Sequence, residues 1–151
     1  MRTGTDAAIR TGVASDGPFI RELAGEAFTE YSLAAQRGIL RMAAQGATLV
    51  AVIDGRRVGF AIVEFSSSSS AHLTAIAVVE RERGRGIGER LLDAVERMVH
   101  ARGVRSLMLV TAESNLAALD LFVRRGFVRA DNLPEYYARG QNAVRLTKGL
   151  R

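Results

Sequence analysis

A glycine-rich turn set between a strand pattern and a helix pattern constrains this chain more than any other feature. Residues 83–88 read Arg83-Gly84-Arg85-Gly86-Ile87-Gly88. Upstream, Leu73-Thr74-Ala75-Ile76-Ala77-Val78-Val79 is apolar and β-prone. Downstream, Leu91, Leu92, Val95, Met98 and Val99 recur at helical spacing. A turn of this kind opens a helix whose first N–H groups have no partner. Its glycines let a ligand approach closely, and the helix dipole favours negative charge. A ligand carrying phosphates is expected there.

Spacing narrows the choice of phosphate ligand. A nucleotide P-loop needs Lys-Ser/Thr after its last glycine, whereas Gly88 is followed by Glu89-Arg90. A dinucleotide fold uses G-x-G-x-x-G, but Gly84, Gly86 and Gly88 are spaced G-x-G-x-G. The fit is to R/Q-x-x-G-x-G/A, through Arg83, Gly86 and Gly88.

Composition excludes several kinds of chemistry. At 151 residues the chain suits one domain, residues 1–151, with 1–6 frayed. There is no cysteine, which removes disulfides, thiolate metal sites and an acyl-cysteine intermediate. The only histidines are His72 and His100, so a metal cluster is not expected either. The net charge of +5 is carried almost wholly by arginine, and Arg81, Arg83, Arg85 and Arg90 could surround a polyanion. No interleaved aromatic platform supports nucleic-acid binding. No apolar run approaches the ~20 residues of a membrane span, and no signal pattern opens the chain, so a cytoplasmic location is expected.

The patterning along the chain gives the order β-α-α-β-β-β-α-β-α-β-β. Ala8–Val13 reads as a strand, and Ser15-Asp16-Gly17-Pro18 starts a helix running to about Thr29. A second helix is expected over Leu33–Ala44. Thr48–Ile53, Asp54-Gly55 and Val58–Phe65 form a hairpin, and Ser66–Ser70 a flexible loop. After the glycine turn, the helix runs to about Arg102. Val104–Thr111 is a strand, Asn115–Arg125 a helix, and Val128–Ala130 and Val144–Thr147 the last strands.

This order, with the glycine motif after an Ala-Val strand end, resembles the GNAT superfamily of N-acetyltransferases. The likeness spans most of the chain and is most specific over residues 72–127. The family's Asn-x-x-Ala-x-x-Leu-Tyr-x-x-x-Gly-Phe pattern appears as Asn115, Ala118, Leu121, Phe122, Gly126 and Phe127. His72-Leu73-Thr74-Ala75-Ile76-Ala77-Val78 is similar to the fourth strand of N-terminal protein acetyltransferases, including the ribosomal-protein-alanine type. Tyr136-Tyr137-Ala138-Arg139-Gly140-Gln141-Asn142-Ala143 is similar to their ending, where paired tyrosines grip a peptide backbone. The implied fold is a single α/β (α+β) domain with a central mixed, mostly antiparallel sheet and helices on both faces.

The resemblance also implies roles. Acetyl-CoA is the co-substrate, with no metal. Its pyrophosphate would lie on the amides of Arg83, Gly84, Arg85, Gly86, Ile87 and Gly88, and its pantetheine along Ala77, Val78 and Val79. The Val78 N–H would meet the thioester oxygen. Asn115 and Phe122 would complete the cofactor site, although Asn115 also reads as a plain helix N-cap. Acceptors would be a protein or peptide α-amine or, alternatively, a small-molecule amine; a weakly catalytic CoA-binding module is a further reading. Glu30, Tyr31, Tyr136 and Tyr137 would line the acceptor entrance. Nothing distinguishes a monomer from a homodimer.

Three departures bear on mechanism. Phe122 replaces the tyrosine that protonates the departing thiolate, Glu80 replaces a proline, and Val110 stands where a fifth-strand glutamate can serve as base. His72 is the first candidate base, on the strand face expected to carry Thr74 and Ile76, with Glu64 second. Tyr137, Tyr136 or water would supply the thiolate's proton.

Overall fold

The computed structural model describes residues 7–27, 41, 47–137 and 139–151. The helix expected over residues 33–44 lies outside the described residues, Arg41 excepted, as do Glu30 and Tyr31. The described elements run β1 (Ala8–Thr11), α1 (Gly17–Ala27), β2 (Ala47–Ile53), β3 (Arg56–Phe65), β4 (Ser70–Val78), α2 (Ile87–Ala101), β5 (Ser106–Ala112), α3 (Leu116–Arg124), β6 (Val128–Leu133) and β7 (Ala143–Gly149). Single 3-10 turns at Ala14–Asp16 and Glu80–Glu82 precede α1 and the glycine turn. The expected boundaries hold to within a few residues. The largest differences are β4, which starts at Ser70 rather than Leu73, and β6, which continues to Leu133 rather than Ala130.

The strands form one seven-stranded sheet in the order β1-β2-β3-β4-β5-β7-β6. Its pairs are antiparallel except β4–β5, which is parallel. The β2–β3 connection is tight because Asp54 and Gly55 both take positive φ, 49° and 76°, as a hairpin turn of matching twist requires.

The two faces are covered by different helices. Ile20, Leu23 and Ala24 of α1 pack on Phe60, Ile62, Ala75 and Ala77. On the opposite face, Leu91, Leu92, Val95 and Val99 of α2 and Leu119 and Phe122 of α3 pack on residues such as Val58, Ala61, Val63, Leu107 and Leu109. Burying each of the α2 side chains contributes about 1.5–3 kcal/mol relative to leaving it in water.

One ionic knot ties β1, α1 and β3 together. Asp16 is fully buried, and Arg10 holds it bidentately at 2.9 and 2.8 Å. The Val13 N–H donates to the same carboxylate at 2.7 Å, and Arg57 Nε at 2.7 Å. The Arg10 hydrogen bonds, opposed by burial but reinforced by Val13 and Arg57, hold the Asp16 carboxyl well below the usual carboxylate range. Among the described residues, no helix is long and apolar enough to cross a membrane.

Candidate active site

The glycine turn has the form its spacing demands. Gly84 and Gly86 take φ of 78° and 80°, a conformation other residues adopt only under strain. Gly86 is the N-cap of α2 and, lacking a side chain, makes no side-chain cap. The first helical bond runs from the Arg90 N–H to the Gly86 carbonyl at 3.1 Å, so the preceding first-turn N–H groups have no carbonyl partner. These groups border an open cleft of about 690 Å³ whose lining includes Ile76, Val78, Arg83, Gly86, Asn115 and Phe122.

The arginines here are more committed than composition suggested. Arg83 Nε donates to the Val78 carbonyl at 3.1 Å, capping the end of β4. Arg85 donates to Glu82 at 2.6 Å, and Arg56 and Arg81 lie 3.7 and 3.9 Å from the same carboxylate. Glu82 is buried beneath this cationic rim. This carboxylate lines the cleft and gathers the neighbouring guanidinium groups, and nothing in the local sequence pattern singled it out.

A gap lies between β4 and β5. Their parallel ladder runs from Ser70–Ser106 to His72–Met108 and stops there. Beyond it the strands part, and a cavity of about 60 Å³ opens. Its wall takes Ala75, Val110, Ala112 and Tyr137 from the α1 side of the sheet and Leu109, Asn115 and Phe122 from the α2–α3 side. The gap is therefore a passage between the two faces of the sheet. It also leaves the β5-facing backbone of β4 beyond His72 out of the ladder.

A β-bulge in β4 corrects the expected placement of His72. On β3, Ile62 pairs with Ala75 but Val63 pairs with Leu73, so Thr74 is the extra residue. The alternation shifts there. Leu73 shares the α2–α3 face with Ile76 and Val78, while Ala75 and Ala77 face α1. His72 pairs with Glu64 in the register, on the α1 side, and not on the face of Ile76 as simple alternation predicts. Burial lowers the His72 pKa below its ordinary value, Glu64 offsets part of that, and Arg145 adds to the lowering. The imidazole is accordingly neutral near pH 7. Neither His72 nor Glu64 lines the small cavity, but both lie on the face from which it opens beside Tyr137.

The remaining residues divide clearly. Tyr137 is buried against Ala112 and Ala143 and lines the cavity, whereas Tyr136 is 52% exposed and packs edge-on against it at 5.1 Å. Asn115 Oδ1 accepts the Ala118 N–H at 3.2 Å, so it caps α3 and lines the cleft at once. Phe122 is buried, stacks edge-to-face on Phe127 at 5.6 Å, and lines both cavities. Val110 lines the small cavity, while His100 is exposed in the last turn of α2. Thr74 was not singled out by sequence; its hydroxyl is buried without a hydrogen-bond partner.

Comparison with known proteins agrees with this geometry. Residues 17–127 match the profile described as the acetyltransferase (GNAT) family. An uncharacterized N-acetyltransferase of Methanocaldococcus jannaschii is 33% identical over 100 residues, 66% of this chain and 64% of that protein. An N-alpha-acetyltransferase of Sulfurisphaera tokodaii is 32% identical over 118 residues, 70% of this chain and 71% of that one. The crystal structure of Ard1 from Thermoplasma volcanium superposes with a TM-score of 0.87 at 27% identity, covering 97% of this chain and 99% of that chain. The chain thus spans just under two thirds of the first of these relatives.

Proposed function

The chain belongs to the acetyltransferase (GNAT) family, and from that premise we propose that it is a single-domain enzyme moving the acetyl group of acetyl-CoA to the α-amine of a protein or peptide. The observation that carries this reading is the opening of β4 from β5 directly upstream of an uncapped, glycine-rich helix start. A long thioester with a polyanionic end fits that shape. Relatives named N-alpha-acetyltransferase support the choice of an α-amine.

The residues present fit the co-substrate. The amides of residues 83–88, with Arg83 and Arg85 beside them, hold the pyrophosphate. Backbone groups of Ala77, Val78 and Val79 bind the pantetheine, and the Val78 N–H polarises the thioester carbonyl. Asn115 and Phe122 close the opposite wall. The acceptor comes from the other face of the sheet, past Tyr136 and Tyr137.

Transfer is direct, because the chain has no cysteine to carry the acetyl group. The amine nitrogen bonds to the thioester carbon, the carbon–sulfur bond breaks, and the amine gives up a proton. His72, neutral and on the acceptor face, takes that proton through water, with the Glu64 carboxylate stabilising the imidazolium. Tyr137 or solvent returns a proton to the thiolate, since Phe122 has none to give. An α-amine of pKa ~8 is held from its free base by only about 1.4 kcal/mol at pH 7, against about 4.6 kcal/mol for a lysine side chain. A site with one weak base suits the former.

Thiol release from acetyl-CoA tests the reading. Peptides with free N-termini should turn over, and the same peptides with blocked N-termini should not. Turnover confined to small amines overturns the acceptor and leaves the fold intact. Wild-type kcat should fall on an acid limb with a midpoint below about 6.5, following the lowered His72 pKa. That limb should vanish in His72→Ala.

A further inference from the structure

Thr74 is placed with unusual specificity for a residue with no evident structural task. It is the bulged residue of β4, with Leu73 and Ala75 taking the register positions opposite Val63 and Ile62. It also lies two residues beyond His72, the last β4–β5 ladder position, where the strands have begun to part. Bulges re-aim a side chain, and Thr74 lines the small passage together with Tyr137, Asn115 and Phe122. Its Oγ1 is buried and makes no hydrogen bond. A buried hydroxyl without a partner is a net cost to the folded protein, one that a valine of the same shape would not carry.

The chemistry of the passage supplies the missing partner. Among the described residues, no carboxylate or imidazole lines the passage. A primary amine entering it needs oxygen atoms to accept its N–H bonds while its lone pair points elsewhere. Asn115 Oδ1 already accepts from Ala118. Thr74 lines the gap where residues of both faces of the sheet meet. Building on the acetyltransferase reading, we propose that the Thr74 hydroxyl accepts a hydrogen bond from the acceptor amine and turns its lone pair toward the thioester carbon. The residue positions the acceptor; it does not carry the proton away.

The test compares Thr74→Val and Thr74→Ser with wild type. Without substrates, T74V should melt at the same temperature or higher, because a costly buried group is gone. Its KM for acetyl-CoA should be unchanged, while kcat/KM for the peptide falls about tenfold, the equivalent of one good hydrogen bond. T74S keeps the hydroxyl and should recover most of that loss. Unchanged kcat/KM for the peptide in T74V overturns the assignment of Thr74 alone. So does a lower melting temperature in T74V with a loss that T74S fails to restore, which would mark a packing role. A wild-type protein silent on every amine overturns the acetyltransferase reading itself, and this inference with it.

Discussion

The two edges of β4 do opposite things. Toward β3 the strand is paired along its whole length, from Phe65–Ala71 to Gly59–Val78, interrupted only at Thr74. Toward β5 it is paired at three positions, Ser70 to His72, and then the sheet opens. Sheets normally satisfy every buried N–H and C=O, because an unpaired one costs free energy comparable to a lost hydrogen bond. Withholding that satisfaction on one edge only is tolerable because the other edge, α1 on one face and α2 on the other hold the strand in place. One strand thus serves as framework on its β3 side and leaves an unpaired edge on its β5 side, where the proposed acetyl-CoA site lies.

The same division separates two buried carboxylates. Asp16 joins β1, α1 and β3 on the closed side of the sheet. Glu82, which lines the cleft, gathers Arg85, Arg56 and Arg81 around it. Both are buried acids surrounded by arginine, but the first fastens the scaffold and the second shapes a cationic rim.

If this division is correct, changes on the open side should alter turnover with little effect on melting, and changes on the closed side the reverse. The largest effect is expected from Gly86→Asp. A Cβ there meets nothing within 4 Å, and aspartate is among the few residues that visit the left-handed backbone, at a strain of about 1 kcal/mol. Its charge would repel the pyrophosphate from the proposed site, so KM for acetyl-CoA should rise about 100-fold, roughly 2.7 kcal/mol, while the melting temperature falls by only a few degrees. A large fall in melting temperature would break the comparison.

Asp16→Asn should do the opposite. Losing the charge that Arg10 and Arg57 share should cost about 2–4 kcal/mol of stability in chemical denaturation, less than a fully buried pair because both guanidinium groups are partly exposed. Turnover of the folded fraction should hold. The sign with pH follows from the lowered Asp16 pKa. The native carboxylate stays ionised where the unfolded chain's has protonated, so its contribution is complete above about pH 4–5 and is lost as pH falls below that. In the asparagine variant this part of the acid sensitivity should be gone.

The smallest effect sharpens the picture of the open side. Phe122→Tyr adds a hydroxyl where the buried ring lines both cavities. A thiol of pKa ~8.5 leaves tolerably unassisted, so the gain in kcat should be about three- to tenfold. An unchanged kcat would mean that another group already protonates the thiolate.

Several features were legible in the sequence because their causes are local. Gly84 and Gly86 mark the turn ahead of α2, where both take positive φ, and Asp54-Gly55 marks its hairpin turn the same way. The helical spacing of Leu91, Leu92, Val95 and Val99 reports a buried face, and all four are buried. Asn115 reads as an N-cap and is one. His72 shows where such reading stops. Its face depends on the parity of β4, and one extra residue at Thr74 reverses that parity. The bulge arises from fitting β4 to β3, a partner whose register no property of residues 70–78 records.

The sequence by itself therefore determined most of the described elements, the glycine turn and the family, because glycine conformation, hydrophobic period and capping act over a few residues. Only the tertiary structure decided that β4 leaves β5 after His72, that Thr74 faces the opening, and that residues 10, 16 and 57 share one buried charge. Those facts depend on which strands meet and in what register. That is settled by packing the whole sheet between its helices, not by any segment's own preference.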